Sequence, residues 1–531
     1  MRTKEMKKKQ TFVKSLLFAM LLGAPLTVSA QDVEINETNF PDENLRNWLL
    51  AQDYGEDGVI TAEEIEGITK IDVSWREISS LKGIEHFTAL TYLDCENNQL
   101  SALDVSNNTA LTELYCRDNQ LTEINVSKNT ALTYLDCSSN QLTALDVAKN
   151  TALTDLSCYY NQLTTLDVSE CTALNFLSCY GNQLTALDVS RNTVLTALDC
   201  EGNQLTTLDV SNNTALEWLN CSVNQLTTLD VSNNTALIDL RCGNNQLITL
   251  DVSNHPELTT LYCHYNLLTA LDVSGCTALT MLYCNENQLT ALNVSGYTAL
   301  TELYCSDNQL TALNVSDCTA LTKLDCDNNQ LTTLDVSKNT ALTELYCHNN
   351  QLTTLDVSDC TALTRLDCYR NQLTTLDVSK NTALISLDCI NNQLTALDVS
   401  GCTALTWLNC YRNQIKGVSM DVLIASLPQQ DQRGLYIYDD SEGNEGNVCT
   451  KTQVEAIKAK GWIPYYYDFT IWQWVEYEGS DDEETGIALP ATATTDANEP
   501  IYTLSGQKVS NGSLKGKKGV YIIGGKKVVV K

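Results

Sequence analysis

The chain has 531 residues, 43% of them apolar and only seven of them proline, a balance that suits an ordered protein and excludes a disordered one. Sixty-six acids against 33 bases give a net charge of −33, which argues against nucleic acid or an anionic membrane as partner. So acidic a chain suits a soluble extracellular protein and leaves room for divalent cations.

Met1 to Ala30 reads as a secretory signal. Basic Arg2, Lys4, Lys7, Lys8, Lys9 and Lys14 precede an apolar run from Ser15 to Val28, and small Ser29 and Ala30 stand before Gln31. The run is too short to span a membrane, so the pattern predicts export with no transmembrane segment after cleavage.

Residues 31–66 form a separate helical cap. Leu45, Trp48 and Leu49 recur at helical spacing, with acids in the first turn. The stretch Asp53 to Glu64 follows, with Asp53 and Asp57 at its first and fifth places, Gly58 at the sixth, an apolar residue at the eighth and Glu64 at the twelfth. It resembles an EF-hand loop. That resemblance implies Ca2+ held by Asp53, Asp57, the Val59 carbonyl, Thr61 and bidentate Glu64. Gly55 offers no ligand at the third place, which lowers the expected affinity. The alternative is a capping helix-turn-helix that keeps the loop shape without metal.

Residues 67–414 form the body of the chain. Ile71, Val73, Ile78, Leu81 and Ile84 make an offset first coil, and from Thr88 to Cys402 a 21-residue unit repeats fifteen times without insertion or deletion. A sixteenth copy opens at Thr403 and decays after Gln414. A fixed period in the twenties marks a solenoid. In the first copy Leu90, Leu93, Cys95, Leu100, Leu103 and Val105 are apolar, and outward Asp94 and Asp104 each sit between two of them. This period-2 alternation predicts two short strands per coil. One coil buries too little to offset its own ordering, so stacking supplies the rest. The eleventh place is Asn in every copy, from Asn98 to Asn413, and predicts a buried amide ladder that satisfies backbone groups at an inward bend.

Leu90-x-x-Leu93-x-Cys95-x-x-Asn98-x-Leu100 resembles the leucine-rich repeat core with Cys in place of the third Leu. The Leu103-Asp104-Val105-Ser106 tail is similar to the short 21-residue bacterial subclass, and Leu81 to Leu90 resembles the first coils of internalin-like surface proteins. The resemblance implies a mainly β solenoid with a parallel sheet on its concave face and short second strands. It implies little about ligand, because function on such scaffolds lives in grafted sites.

Sixteen cysteines take the eighth place, and Cys171, Cys276, Cys318, Cys360 and Cys402 take the last. The spacing turns them inward as small apolar groups, and parallel side-chain vectors suit free thiols better than disulfides. No Cys/His cluster points to zinc.

Residues 415–478 read as a C-terminal cap covering the last coil. Trp462, Trp472, Trp474 and Tyr465 to Tyr467 are expected in its core instead of forming a binding platform. Residues 479–499 are an acidic, then Ala/Thr-rich linker. Residues 500–531 alternate apolar positions between glycine turns as a small β module. The pattern IYxLxGxKV, GxYI, GKKVVVK resembles C-terminal sorting domains of Gram-negative type IX secretion, which implies passage through that machinery to the surface or medium.

Function is expected on the outward places around the main strand, the fifth, seventh, ninth and tenth of each coil. Thirteen of the 23 tyrosines fall there. The candidate ligand residues are Tyr115, Tyr159, Tyr180, Trp218, Tyr262, Tyr283, Tyr304, Tyr346, Tyr369 and Trp407. Tyrosine supplies stiff, half-polar contact area at low entropic cost, whereas the opposite stripe is nearly uniform Asp. This contrast predicts an exported, surface-associated, adhesin-like protein that binds a protein partner. The alternatives are glycan capture and a structural coat without specific ligand. No catalytic residues are expected: the four His are scattered, and Lys323 separates Glu302 from Glu344.

Overall fold

The computed structural model describes residues 31–439, 445–468, 471–481 and the strand segments 501–503, 508–509, 519–523 and 526–530. The expected signal, Met1 to Ala30, and all but the first few residues of the expected linker lie outside them. The chain forms two compact units, Met1–Ala236 and Leu237–Lys531.

The first unit opens with strand β1 (Val33–Glu34), paired antiparallel with β2 (Val59–Ile60), and helices α1 (Glu43–Leu50) and α2 (Ala62–Gly67). Leu45 and Leu49, four apart on α1, are buried. Asp42 caps α1 through the Leu45 N–H, and its other oxygen accepts the Ser79 N–H and hydroxyl, tying the cap to the first coil. The strands β3 (Lys70–Asp72) and β4 (Tyr92–Asp94) begin a parallel sheet that gains one three-residue strand per coil as far as Trp218–Asn220. Register is fixed by the repeat: Leu93 lies beside Leu114, and Leu114 beside Leu135, all fully buried.

The second unit continues the same motif from Asp239–Arg241 to Trp407–Asn409. Two longer strands, Arg433–Tyr438 and Trp462–Asp468, extend its sheet in parallel, and Gln473–Glu476 closes it antiparallel. Helices Val418–Ser426 and Lys451–Ala459 complete this cap. Only Trp462 of the expected aromatic core is buried, with its indole N–H on the Pro428 carbonyl at 2.8 Å. Trp472, in a turn, and Trp474 are exposed and Tyr465 to Tyr467 half-buried, because Trp474 and the tyrosines lie on the strands at the open end of the sheet. The segments Ile501–Thr503, Lys508–Val509, Gly519–Ile523 and Lys526–Val530 pair as a four-stranded antiparallel sheet.

The expected second strand per coil is reduced to isolated bridges, such as Asp146 with Asp167 and Asp356 with Asp377. The reason is local. Each outward Asp turns its carboxylate onto the N–H two residues on, as Asp167 does to Ser169 at 2.9 Å, so a turn begins directly after it and pairing stops at a single bridge.

The eleventh-place Asn ladder is present and saturated. Asn140 Nδ2 donates to the carbonyls of Cys116, Cys137 and Ser138, and its Oδ1 accepts the Leu121 N–H at 2.9 Å. A second amide ladder runs through the last place. Asn150 Nδ2 donates to Val126 and Asn129 carbonyls, but its buried Oδ1 has no partner. Cysteine solves this: Cys171 in the same place offers its thiol to Val147 and Asn150 carbonyls and brings no acceptor to leave stranded. All 22 cysteines are buried and free.

The tenth place of every copy is left-handed, with φ between 47° and 64°. Asn, Asp and Gly fill it in most copies, as the conformation favours. Val223 and Tyr160 hold it at a cost of about 1–2 kcal/mol each while displaying exposed side chains (46% and 58%).

Candidate functional site

Alternation settles which side chains face outward. In each three-residue strand the middle Leu is buried, and the residues on either side of it project from the sheet. Neighbouring strands lie about 4.8 Å apart, close to the thickness of a pair of stacked rings, so aromatic residues at one place in successive coils must stack.

In the second unit Tyr262, Tyr283 and Tyr304 form a continuous column with centroid separations of 4.3 and 4.4 Å. In the first unit Tyr159 and Tyr180 stack at 4.6 Å, with Tyr160 edge-on to Tyr180, and Tyr115 stacks on Tyr134 and contacts Tyr92. Arg117 donates to the Tyr159 hydroxyl at 3.2 Å. The hydroxyls of Tyr115 and Tyr346 donate to Glu113 and Glu344 at 3.1 and 2.9 Å, and that of Tyr283 donates to Glu302. Burial and these carboxylates push the Tyr115, Tyr283 and Tyr346 phenols up, so they remain donors throughout the physiological range.

The structure therefore groups Tyr262, Tyr283 and Tyr304, and separately Tyr159 with Tyr180. Tyr346 lies under the Arg365 guanidinium at 5.2 Å, Tyr369 stacks on His348 at 4.1 Å, and Trp407 packs on Tyr436 at 5.8 Å. Trp218 is half-buried at the fifth place of its coil. Within each stack ring covers ring, so Tyr159 with Tyr180 and Tyr262 with Tyr283 and Tyr304 present edges and hydroxyls. Between Glu302 and Glu344 lies Lys323, whose ammonium is 3.6 Å from Glu344.

Sequence reasoning missed an acidic stretch on the same face of the second unit. Asp325, Asp367 and Asp388 occupy the seventh place and Asp327 and His348 the ninth, a column that reading the seventh place down the repeats would have revealed. His348 Nε2 meets Asp327 at 2.6 Å. Burial, reinforced by Asp327, pushes Asp325 up to about 7. Burial also pushes Asp388 up to about 7, with Asp367 adding to it.

The EF-hand-like loop keeps its shape, with Gly58 at φ 84°, but spends its carboxylates locally. Asp57 accepts the Val59 N–H at 3.1 Å, and Glu64 accepts the Thr61 N–H and hydroxyl in a capping box. No group of three or more His, Cys, Asp or Glu side chains is poised to hold a metal ion among the described residues. Asp53, Asp57, Val59, Thr61 and Glu64 all lie on this loop and the start of the helix after it.

Parallel coils with a diversified strand face define a β-solenoid recognition scaffold. The Leucine Rich repeats (2 copies) model matches residues 109–150, 298–339 and 340–381. The functional domain of InlJ from Listeria monocytogenes, which includes a cysteine ladder, is 31% identical, with 86% of this chain and 94% of that one covered at a TM-score of 0.63. The chain belongs to the leucine-rich repeat family. It is also similar in fold to the Leptospira interrogans LRR protein LIC12759 (24% identity, 69% and 95% covered, TM-score 0.56). YopM from Yersinia enterocolitica resembles it likewise (23% identity, 70% and 88% covered, TM-score 0.53). No curated protein sequence matches it. No helix among the described residues is long and apolar enough to cross a membrane.

Proposed function

We propose that the protein is an exported, surface-associated recognition protein that binds a protein partner through the strand face of its repeats. The observation that supports this reading most is the column of Tyr262, Tyr283 and Tyr304, stacked edge-outward and lined by carboxylates. Rigid tyrosine edges with oriented hydroxyls suit peptide groups and side chains. A sugar needs an open ring face, which the stacking covers, so glycan capture is the second reading. Replacing Tyr262, Tyr283 and Tyr304 together with Ala is expected to abolish partner capture while far-UV circular dichroism stays unchanged; undiminished capture refutes the proposal. A glycan array distinguishes the second reading.

We propose further that the leader and the terminal β module direct export through a type IX-like route. A chain ending at Asp481 is then expected to stay within the cell envelope, and its normal appearance outside would contradict this. For the N-terminal loop we propose calcium binding that draws Glu64 out of its capping box towards Asp53, Asp57, Thr61 and the Val59 carbonyl. Calorimetric titration should give heat that Glu64→Gln removes; silence from the unaltered chain retires calcium and leaves a pure capping loop.

A further inference from the structure

The acidic stretch of the second unit is short of donors. Asp367 takes both hydrogen bonds from Arg365, Nε at 3.3 Å and Nη2 at 3.0 Å, on its Oδ2, and its Oδ1 has no partner. In the second coil beyond, Asn409 rests its amide nitrogen on Asp388 at 3.4 Å and leaves its own Oδ1 without a partner. Both residues are only 6% exposed. Asp388, in register between them, receives the Ile390 N–H at 3.2 Å and no cation. Idle buried acceptors beside a carboxylate cost free energy until a donor arrives.

The chain already shows which donor fits. Arg365, half-exposed, lays its guanidinium over the Tyr346 ring at 5.2 Å and onto Asp367. One guanidinium is thus seated and acceptors remain. Across the outward places from Glu302 to Asn391, the acids Glu302, Asp307, Asp325, Asp327, Glu344, Asp367 and Asp388 outnumber Lys323, Arg365 and Arg370 by seven to three. His348 is already engaged by Asp327 and Tyr369.

We propose that this stretch docks a basic segment of the partner, with an arginine or lysine of that segment taken up between Asp367, Asp388 and Asn409. The proposal rests on the protein-binding reading above and names the chemistry of the bound segment. Bidentate donation to acceptors one coil apart, Asp367 with Asp388 or Asp388 with Asn409, favours arginine over lysine.

The test uses the full chain and a heptapeptide alternating glycine with arginine, lysine and arginine, against the same peptide with citrulline and acetyl-lysine. Two charge-matched variants are compared: Asp325→Asn/Asp367→Asn/Asp388→Asn on the face, and Asp335→Asn/Asp356→Asn/Asp377→Asn on the outer stripe. The basic peptide is expected to bind, the neutral one not, and the face variant to weaken binding about tenfold or more while the stripe variant changes it less than about twofold. Equal losses in both variants mean bulk attraction to an acidic protein and overturn the proposal. So does absence of binding to the unaltered chain. If the Tyr262, Tyr283 and Tyr304 replacement nevertheless abolishes partner capture, only the basic segment is wrong and the recognition face stands.

Discussion

Asn140→Ala is expected to lower stability by about 3–5 kcal/mol, the largest single-residue effect outside the Leu core. The side chain makes four hydrogen bonds, three to carbonyls of two successive coils and one from Leu121. Truncation leaves the Leu121 N–H buried without a partner, at about 1–3 kcal/mol, and takes one donor from each of the Cys116, Cys137 and Ser138 carbonyls, at about 0.5–1.5 kcal/mol apiece because each keeps another. Asn150→Cys supplies the control. It copies Cys171, keeps a donor and removes an idle oxygen, so it should stay within about 1 kcal/mol of the parent chain. Urea midpoints measure both. A loss below about 1 kcal/mol for Asn140→Ala would show that the amide ladder is decoration and not the frame.

The second large effect concerns pH. Asp388 has its folded value near 7, whereas in the unfolded chain an aspartate titrates near its ordinary value of about 3.9. Between those values the folded protein holds a proton that the unfolded chain has released. Stability from this group therefore falls as pH rises from about 4 to 7 and is level above. Asn cannot ionise, so Asp388→Asn should raise stability by about 1–3 kcal/mol at pH 7.5 and by little at pH 4. The groups that face it are Asp367, His348 and Asn409, and the variant leaves them in place. A gain independent of pH would mean that packing, and not charge burial, sets the difference.

This cost also explains what was legible beforehand. The 21-residue period, the inward Cys and Leu and the invariant Asn fix a parallel solenoid, because each is a burial constraint repeated in every coil. The second strand was misread since apolar alternation at Leu103 and Val105 says nothing about Asp104 seizing a nearby N–H. The left-handed tenth place was hidden by its tolerance of Val223 and Tyr160, which the surrounding coils hold there. Tyr283 and its neighbours were visible as a column. That their rings would stack and turn their edges outward follows only from strand spacing once register is known. Nothing in the sequence marks Asp367 and Asp388 as buried, because their burial is a tertiary fact.

The central claim is that the strand face, and not the outer stripe, meets the partner. Carboxyl footprinting of the bound and free chain reads this directly. Glu302, Glu344 and their neighbours on the face should be shielded by the partner while Asp272, Asp335 and Asp356 stay as reactive as before. Shielding of the outer stripe with an unprotected face would contradict the account.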